Sequence, residues 1–338
     1  FESSTASYGS KDDMAVPQGT RISAATWSPD GSKIAYNVHT PNETHIWVGD
    51  AATGRARQIT REPVLATLVT SFEWSEDSRS IATVLLPRDR SAMPTPPTVP
   101  QGPQVKVAEN TDMNRLRTYA SLMATPHDKA LLEWHATGQL AVIDVERRRA
   151  TNVGAPAMIR SIDRSPDGLY LRVTTMVKPF SYVVPVSSFG RVEEIWDLEG
   201  NVLAKVQDTE LNVGVNPGQT PTAPGVGGGA GQEDGPREVA WRPDGQGLTF
   251  LEQEARANDE EDDATPSGEE GEEGTRRKDR VMQWTAPFDE GSKSVVYESD
   301  RRMSSHRYSE DAQVLFARET ARGNVHEFAV LLDTPSEK

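Results

Sequence analysis

An all-β architecture built from repeated four-stranded antiparallel units, a β-propeller, is predicted by three observations. First, the stretch "TWSPDGSKIAY" (26–36) places a Pro-Asp-Gly turn between a Trp and an alternating apolar run. Pro29 pre-sets φ, Asp30 can bond its own backbone, and Gly31 accepts a positive φ. Second, the pattern recurs after Trp74 ("WSEDSRSIATVLL"), Arg164 ("RSPDGLYLRVTT"), Trp241 ("WRPDGQGLTFLE") and Tyr308 ("YSEDAQVLFAR"). The intervals are 47, 90, 77 and 67 residues, and the first is one blade-sized repeat. Third, polar turns separate further strand-like pairs: Ile46–Val48 with a return ending at Ile59, Leu140–Val145 with a return to Val153, and Trp196 followed by Val202–Val206.

The longer intervals contain excursions. The interval after Trp74 has room for two units, and it includes the Pro-rich run "RSAMPTPPTVPQGPQVKVAEN" and the helical pattern of "TYASLMATPHDKALLEWHATGQL". In the latter, Tyr119, Leu122 and Met123 share one helical face, and Ala130, Leu131 and Trp134 continue at three- and four-residue spacing after Pro126. "PGQTPTAPGVGGGAGQEDGP" is Gly/Pro-rich and has no means of forming a core. The chain therefore divides into a flexible N-terminal extension (1–20) and a partial propeller of five to six blades (21–338). Three inserts interrupt the propeller: a Pro-rich and helical one at 88–138, a Gly/Pro-rich one at 207–236 and an acidic, disordered one at 252–279.

Charge narrows the partners. The net charge is −15, and residues 252–274 hold eleven acids against Arg256 alone, so that window carries −10 and the remainder only −5. Such a balance disfavours nucleic acid. No apolar run reaches the ~20 residues needed to span a bilayer. The chain has no cysteine, which removes disulfides, thiolate catalysis and Cys-based zinc sites. It begins at Phe1 rather than Met, as expected of a chain that lost a leader or starts internally.

Chemistry-bearing motifs are scarce. A nucleophile elbow needs Gly-x-Ser-x-Gly, and the pairs Gly9-Ser10, Gly31-Ser32 and Gly291-Ser292 have the wrong spacing. The six histidines (39, 45, 127, 135, 306 and 326) fall into no triad motif and read as ordinary surface or core residues. His127 and His135 lie eight apart near Glu133, not at the i, i+4 spacing of a helical metal site. The acidic run lacks a calcium-loop register, and the glycines at 225–231 precede no Lys-Ser/Thr, so the first reads as a solvated loop and the second as a linker. Trp27, Trp74 and Trp241 precede equivalent turns and are assigned to packing between blades. No catalytic, cofactor-binding or metal-binding residue is assigned, and no cofactor is expected.

Three stretches carry a more specific likeness. "RTYASLMATPHDKALLEWHATGQLAVID" (117–144), "MVKPFSYVVPVSSFGRVEEIWDLEGNV" (176–202) and "GPREVAWRPDGQGLTFLEQE" (235–254) resemble the N-terminal β-propeller of prolyl oligopeptidase-family serine peptidases, within it the glutamyl endopeptidase branch of bacteria and plant chloroplasts. The helical insert followed by "KPFSYVVP" is the specific part, and the likeness runs from about residue 20 onward. The resemblance implies a seven-bladed propeller that restricts entry to peptides and unfolded segments. It also implies an α/β-hydrolase domain with a Ser-Asp-His triad, lying beyond Lys338, which would make this chain a fragment without catalytic residues. The implied partners are that hydrolase domain and peptide substrates, and the implied location is periplasmic or secreted, or organellar in a plant. By the same analogy, Lys178 and Arg160 are basic groups that could attract acidic peptide, and neither is assigned as a site. The alternative reading is a non-catalytic periplasmic TolB-like propeller that binds proteins, since its repeats also use "SPDG" turns.

Overall fold

The computed structural model describes residues 17, 19–68, 71–98, 122–212, 235–254, 277–321 and 324–332. These form five antiparallel sheets, each an unbroken stretch of the strand order. The first holds β1 (Arg21–Trp27), β2 (Lys33–His39), β3 (Thr44–Asp50) and β4 (Ala56–Gln58). The second holds β5 (Glu73–Trp74), β6 (Ser80–Leu85), β7 (Gln139–Asp144) and β8 (Arg149–Asn152). The third is β9 (Ile159–Arg164), β10 (Tyr170–Met176), β11 (Arg191–Asp197) and β12 (Val202–Thr209). The fourth is β13 (Arg237–Trp241), β14 (Leu248–Gln253), β15 (Asp279–Trp284) and β16 (Lys293–Ser299), and the fifth, three-stranded, is β17 (Met303–Tyr308), β18 (Val314–Ala321) and β19 (Asn324–Leu331).

The sheets stack face to face in chain order because their second strands are apolar on both sides. Along β6, Ile81 packs with Ala35, Ile46 and Val48 of the first sheet, while Ala82 and Val84 pack with Ile162, Leu171 and Val173 of the third. In β14, Leu248 and Phe250 join Ile195 and Ala204 of the third sheet, whereas Leu251 joins Met303, Leu315 and Ala317 of the fifth. Period-two alternation between two apolar faces thus gives the near-continuous runs "IATVLL" and "LTFL". Stacked four-stranded meanders of this kind are propeller blades.

The recurring turn forms as its chemistry dictates. Ser28 Oγ donates to Asp30 Oδ1 at 2.6 Å and accepts from Lys33 N at 2.9 Å, closing both sides of the turn. Ser75, Ser165 and Ser309 repeat both contacts in their own sheets. In the fourth sheet Arg242 takes the serine's place and holds Asp244 through Nε and Nη2. The fourth turn position is always left-handed, being Gly31, Ser78, Gly168, Gly245 and Ala312. Side-chain bonds to the turn backbone make this conformation available even to Ser and Ala.

Three expectations change. The 90-residue interval contains one sheet rather than two, and its surplus is the insert between β6 and β7. The helix in that insert, α1, spans Pro126–Ala136. Leu122 and Met123 precede it in irregular chain, and Tyr119 lies outside the described residues. A capping box decides the start, with Thr125 Oγ1 accepting from Asp128 N and Asp128 Oδ2 accepting from Thr125 N, and Pro126 fits the first helical turn. Third, β12 carries the sheet through Thr209, and Gln253 pairs with Asp279, so strand pairing extends into the edges of two stretches assigned to inserts.

Candidate functional site

At three of the five turns the residue before the turn, on the first strand of its sheet, hydrogen-bonds to the preceding blade. Trp74 Nε1 donates to Thr26 O at 3.3 Å and Trp241 Nε1 donates to Asp163 O at 3.3 Å; both acceptors lie one residue before the motif position of the earlier blade. Arg164 Nη1 makes the corresponding reach to Ser80 Oγ at 2.9 Å. Packing between blades therefore accounts for Trp74 and Trp241. It does not account for Trp27, which is 57% exposed and joins none of the hydrophobic clusters, because no described blade lies on that side to supply a carbonyl.

First strands carry bulges as well. Register shifts fall between Ser23 and Thr26 on β1, between Arg237 and Ala240 on β13, and between Met303 and Ser305 on β17; on β9 the extra residue lies opposite Thr174 and Thr175. A bulge re-aims the side chains around it. On β9, Ile159 and Ile162 both pack toward the second sheet, Arg160 is the extra residue of the bulge, and Ser161 pairs with Thr174 on the face toward the fourth sheet.

That face holds a polar layer. Arg172 on β10 donates to Asp163 Oδ2 at 2.7 Å through Nη2, to Glu193 Oε1 at 3.1 Å and to Val239 O of the fourth sheet at 2.7 Å through Nη1. Arg191 begins β11 on the same face, two and four residues before Glu193 and Ile195. Burial, then the neighbouring Arg191, pulls the Arg160 guanidinium below its ordinary pKa. Glu73 on β5 is raised by burial first and then by Asp163. Lys178, the other basic group singled out in the sequence, donates to Glu133 Oε1 on α1 at 2.7 Å and is neutralised there.

Two hydroxyl–imidazole arrangements invite comparison with a catalytic triad. His45 contacts Thr60 Oγ1 at 3.0 Å through Nδ1 and Glu43 Oε2 at 3.1 Å through Nε2. Thr60, however, is buried and its Oγ1 already accepts from Ile46 N at 3.1 Å, so the hydroxyl locks β3 to the chain after β4 and cannot be approached. His39 lies between Ser23 Oγ and Thr44 Oγ1, with no carboxylate to orient the ring. His135 packs edge-on against Trp134, and Glu133 is taken by Lys178. Among the described residues no group of three His, Asp or Glu side chains has metal-binding geometry, and no helix is long and apolar enough to cross a membrane. A polar cleft of about 310 Å³ at the outer edge of the second sheet is lined by Gln139, Arg149 and the Glu62–Arg88 ion pair, which closes at 2.6 Å.

The fold and this blade-to-blade layer define a stacked-blade β-propeller. In sequence it is similar to glutamyl endopeptidases. A probable chloroplastic glutamyl endopeptidase from Oryza sativa subsp. japonica is 29% identical over 242 residues, which is 69% of this chain and 24% of that protein. The Arabidopsis thaliana counterpart is 29% identical over 208 residues, 60% of this chain and 22% of its own length. A TolB homologue from Protochlamydia amoebophila is 45% identical over only 42 residues, 12% of this chain and 9% of that protein. The chain thus spans about a quarter of the length of the plant relatives. No protein-family profile matches it.

Proposed function

We propose that this chain is the substrate-gating propeller of a serine peptidase of the prolyl oligopeptidase kind, which hydrolyses peptide bonds after glutamate. One observation carries the reading: similarity to a glutamyl endopeptidase extends over 242 residues, 69% of the chain. Its partners are a C-terminal α/β-hydrolase domain, which supplies the acyl-enzyme chemistry, and peptide substrates. The compartment is the periplasm or cell exterior, or an organelle in a plant. The TolB-like scaffold reading rests on 42 residues and is the weaker.

The reading frame that encodes Lys338 provides the test. A Gly-x-Ser-x-Gly motif followed by Asp and His, with fluorophosphonate labelling of that serine and cleavage of short glutamyl peptides in preference to folded protein, is the expected result. A stop codon directly after Lys338 would overturn the peptidase and leave a binding propeller.

A further inference from the structure

The cleft at the outer edge of the second sheet has a rim fixed by backbone. Leu86 N donates to Pro63 O at 2.8 Å and Val64 bridges to Leu85, so Glu62 and Arg88 sit on chain tied to the end of β6. Their ion pair uses Arg88 Nε, which leaves the two terminal nitrogens of that guanidinium to bond a ligand. The volume of about 310 Å³ lies at the small end for small-molecule pockets and suits one ring rather than a chain.

Gln139 gives the cleft its chemistry. This side chain is only 7% exposed, yet it lines the cleft. Its Nε2 donates to Leu140 O at 2.9 Å, Gly154 O at 3.1 Å and Val153 O at 3.2 Å. Three carbonyl acceptors fix which end of the amide is nitrogen, so Oε1 is the end left over. Oε1 has no partner among the described residues and calls for a donor. Thr151 and Asn152 on β8, both exposed, bring a hydroxyl and an amide that bond no other described residue. Leu85, Leu86 and Ala150 supply apolar surface in the same recess.

A sugar ring divides its surface in the same way. Each hydroxyl donates once and accepts twice, while the ring C–H groups are apolar. A simple anion fits less well: Arg88 and Arg149 attract it, but Glu62 and Gln139 Oε1 are acceptors that can only repel it. None of these groups belongs to a first strand, and a peptidase propeller or a binding propeller could carry the site equally.

We propose that this cleft binds a single neutral pyranose ring, with Gln139 Oε1 accepting from one hydroxyl and Arg88, Thr151 and Asn152 bonding its neighbours. Saturation-transfer NMR titration of the whole chain with the methyl glycosides of glucose, galactose and mannose, and with methyl glucuronide, tests it. At least one neutral glycoside binds saturably, and the double variant Arg88→Ala/Thr151→Val weakens it at least about tenfold. Arg88 is 70% exposed along its side chain, so that variant melts close to wild type and loss of binding is not loss of fold. Gln139→Leu also abolishes binding but melts lower, because three backbone bonds go with it.

No saturable binding of any neutral glycoside overturns the site, as does binding that the double variant leaves unchanged. Methyl glucuronide binding more tightly than every neutral glycoside, with the preference lost in Arg149→Gln, would make the cleft a carboxylate site and overturn the sugar assignment.

Discussion

Every second strand has two ends, and the chain builds them by different rules. At one end sits a Ser-x-Asp or Arg-x-Asp turn of five or six residues in all five sheets, with the same side-chain bonds in the four that carry Ser. At the other end the connections are 40–43, 86–138, 177–190, 254–278 and 322–323, with no common length or composition. The turn end is held locally, each Asp satisfying its own loop. In the fourth sheet the connection end is held by long-range polar contacts: Asp279, wholly buried at the start of β15, accepts from Arg237 Nη2 at 2.5 Å and from Met303 N at 2.7 Å, and so ties the starts of β13 and β17. The uniform end makes the architecture, and the varied end is where a binding function can be added without disturbing it.

The largest test of that contrast is Asp279→Ala. Leaving Arg237 buried without its carboxylate costs about 3–5 kcal/mol, read by chemical denaturation, and a variant as stable as wild type would show that the connection end is not held this way. Acid titration comes next. Burial pushes His306 on β17 down to about 4, with Thr249 Oγ1 on its Nε2 at 3.0 Å. Its folded pKa is depressed, so its stability contribution is complete above its ordinary 6.5 and is lost as pH falls toward about 4. That loss amounts to about 3 kcal/mol, and a His306→Gln variant flattens the slope.

The turn aspartates respond in a lower window. Asp30, Asp77 and Asp311 are held below the usual carboxylate range, chiefly by the hydroxyls of Ser28, Ser75 and Ser309. Their contribution is present above the ordinary 3.8 and disappears only below it, so unfolding curves between pH 6.5 and 4 should report His306 and not the turns.

Gly247→Ala probes the one turn that is a residue longer. A Cβ there would lie 2.2 Å from Trp284 O at a φ of +96°, and a loss of about 1–3 kcal/mol is expected by thermal melting. The smallest effect belongs to the acidic connection. Replacing residues 256–275 by a short Gly/Ser link changes stability by less than about 1 kcal/mol, since Gln253 and Asp279 already pair across its base. A larger loss would mean that this connection is part of the core.

The turn end was legible in the sequence because its chemistry is local: Ser28, Pro29, Asp30 and Gly31 need no distant partner to specify their conformation. The strands were legible where apolar residues ran on both faces, as in β6 and β14. Packing that depends on another sheet was not. Trp27 and Trp74 look identical in the sequence, yet only Trp74 has a neighbouring carbonyl to meet. In α1 the local cap at Thr125 outweighed the apolar spacing of Leu122 and Met123. The setting of Arg160 was illegible for the same reason, since it depends on a bulge opposite Thr174 and Thr175 of the neighbouring strand.

Amide hydrogen exchange of Asp279→Ala tests most directly whether the two ends are held separately. Faster exchange at 237–240 and 303–306, with the turns at 165–169 and 242–247 unchanged, is the result this account predicts. Exchange that rises equally at both ends would contradict it.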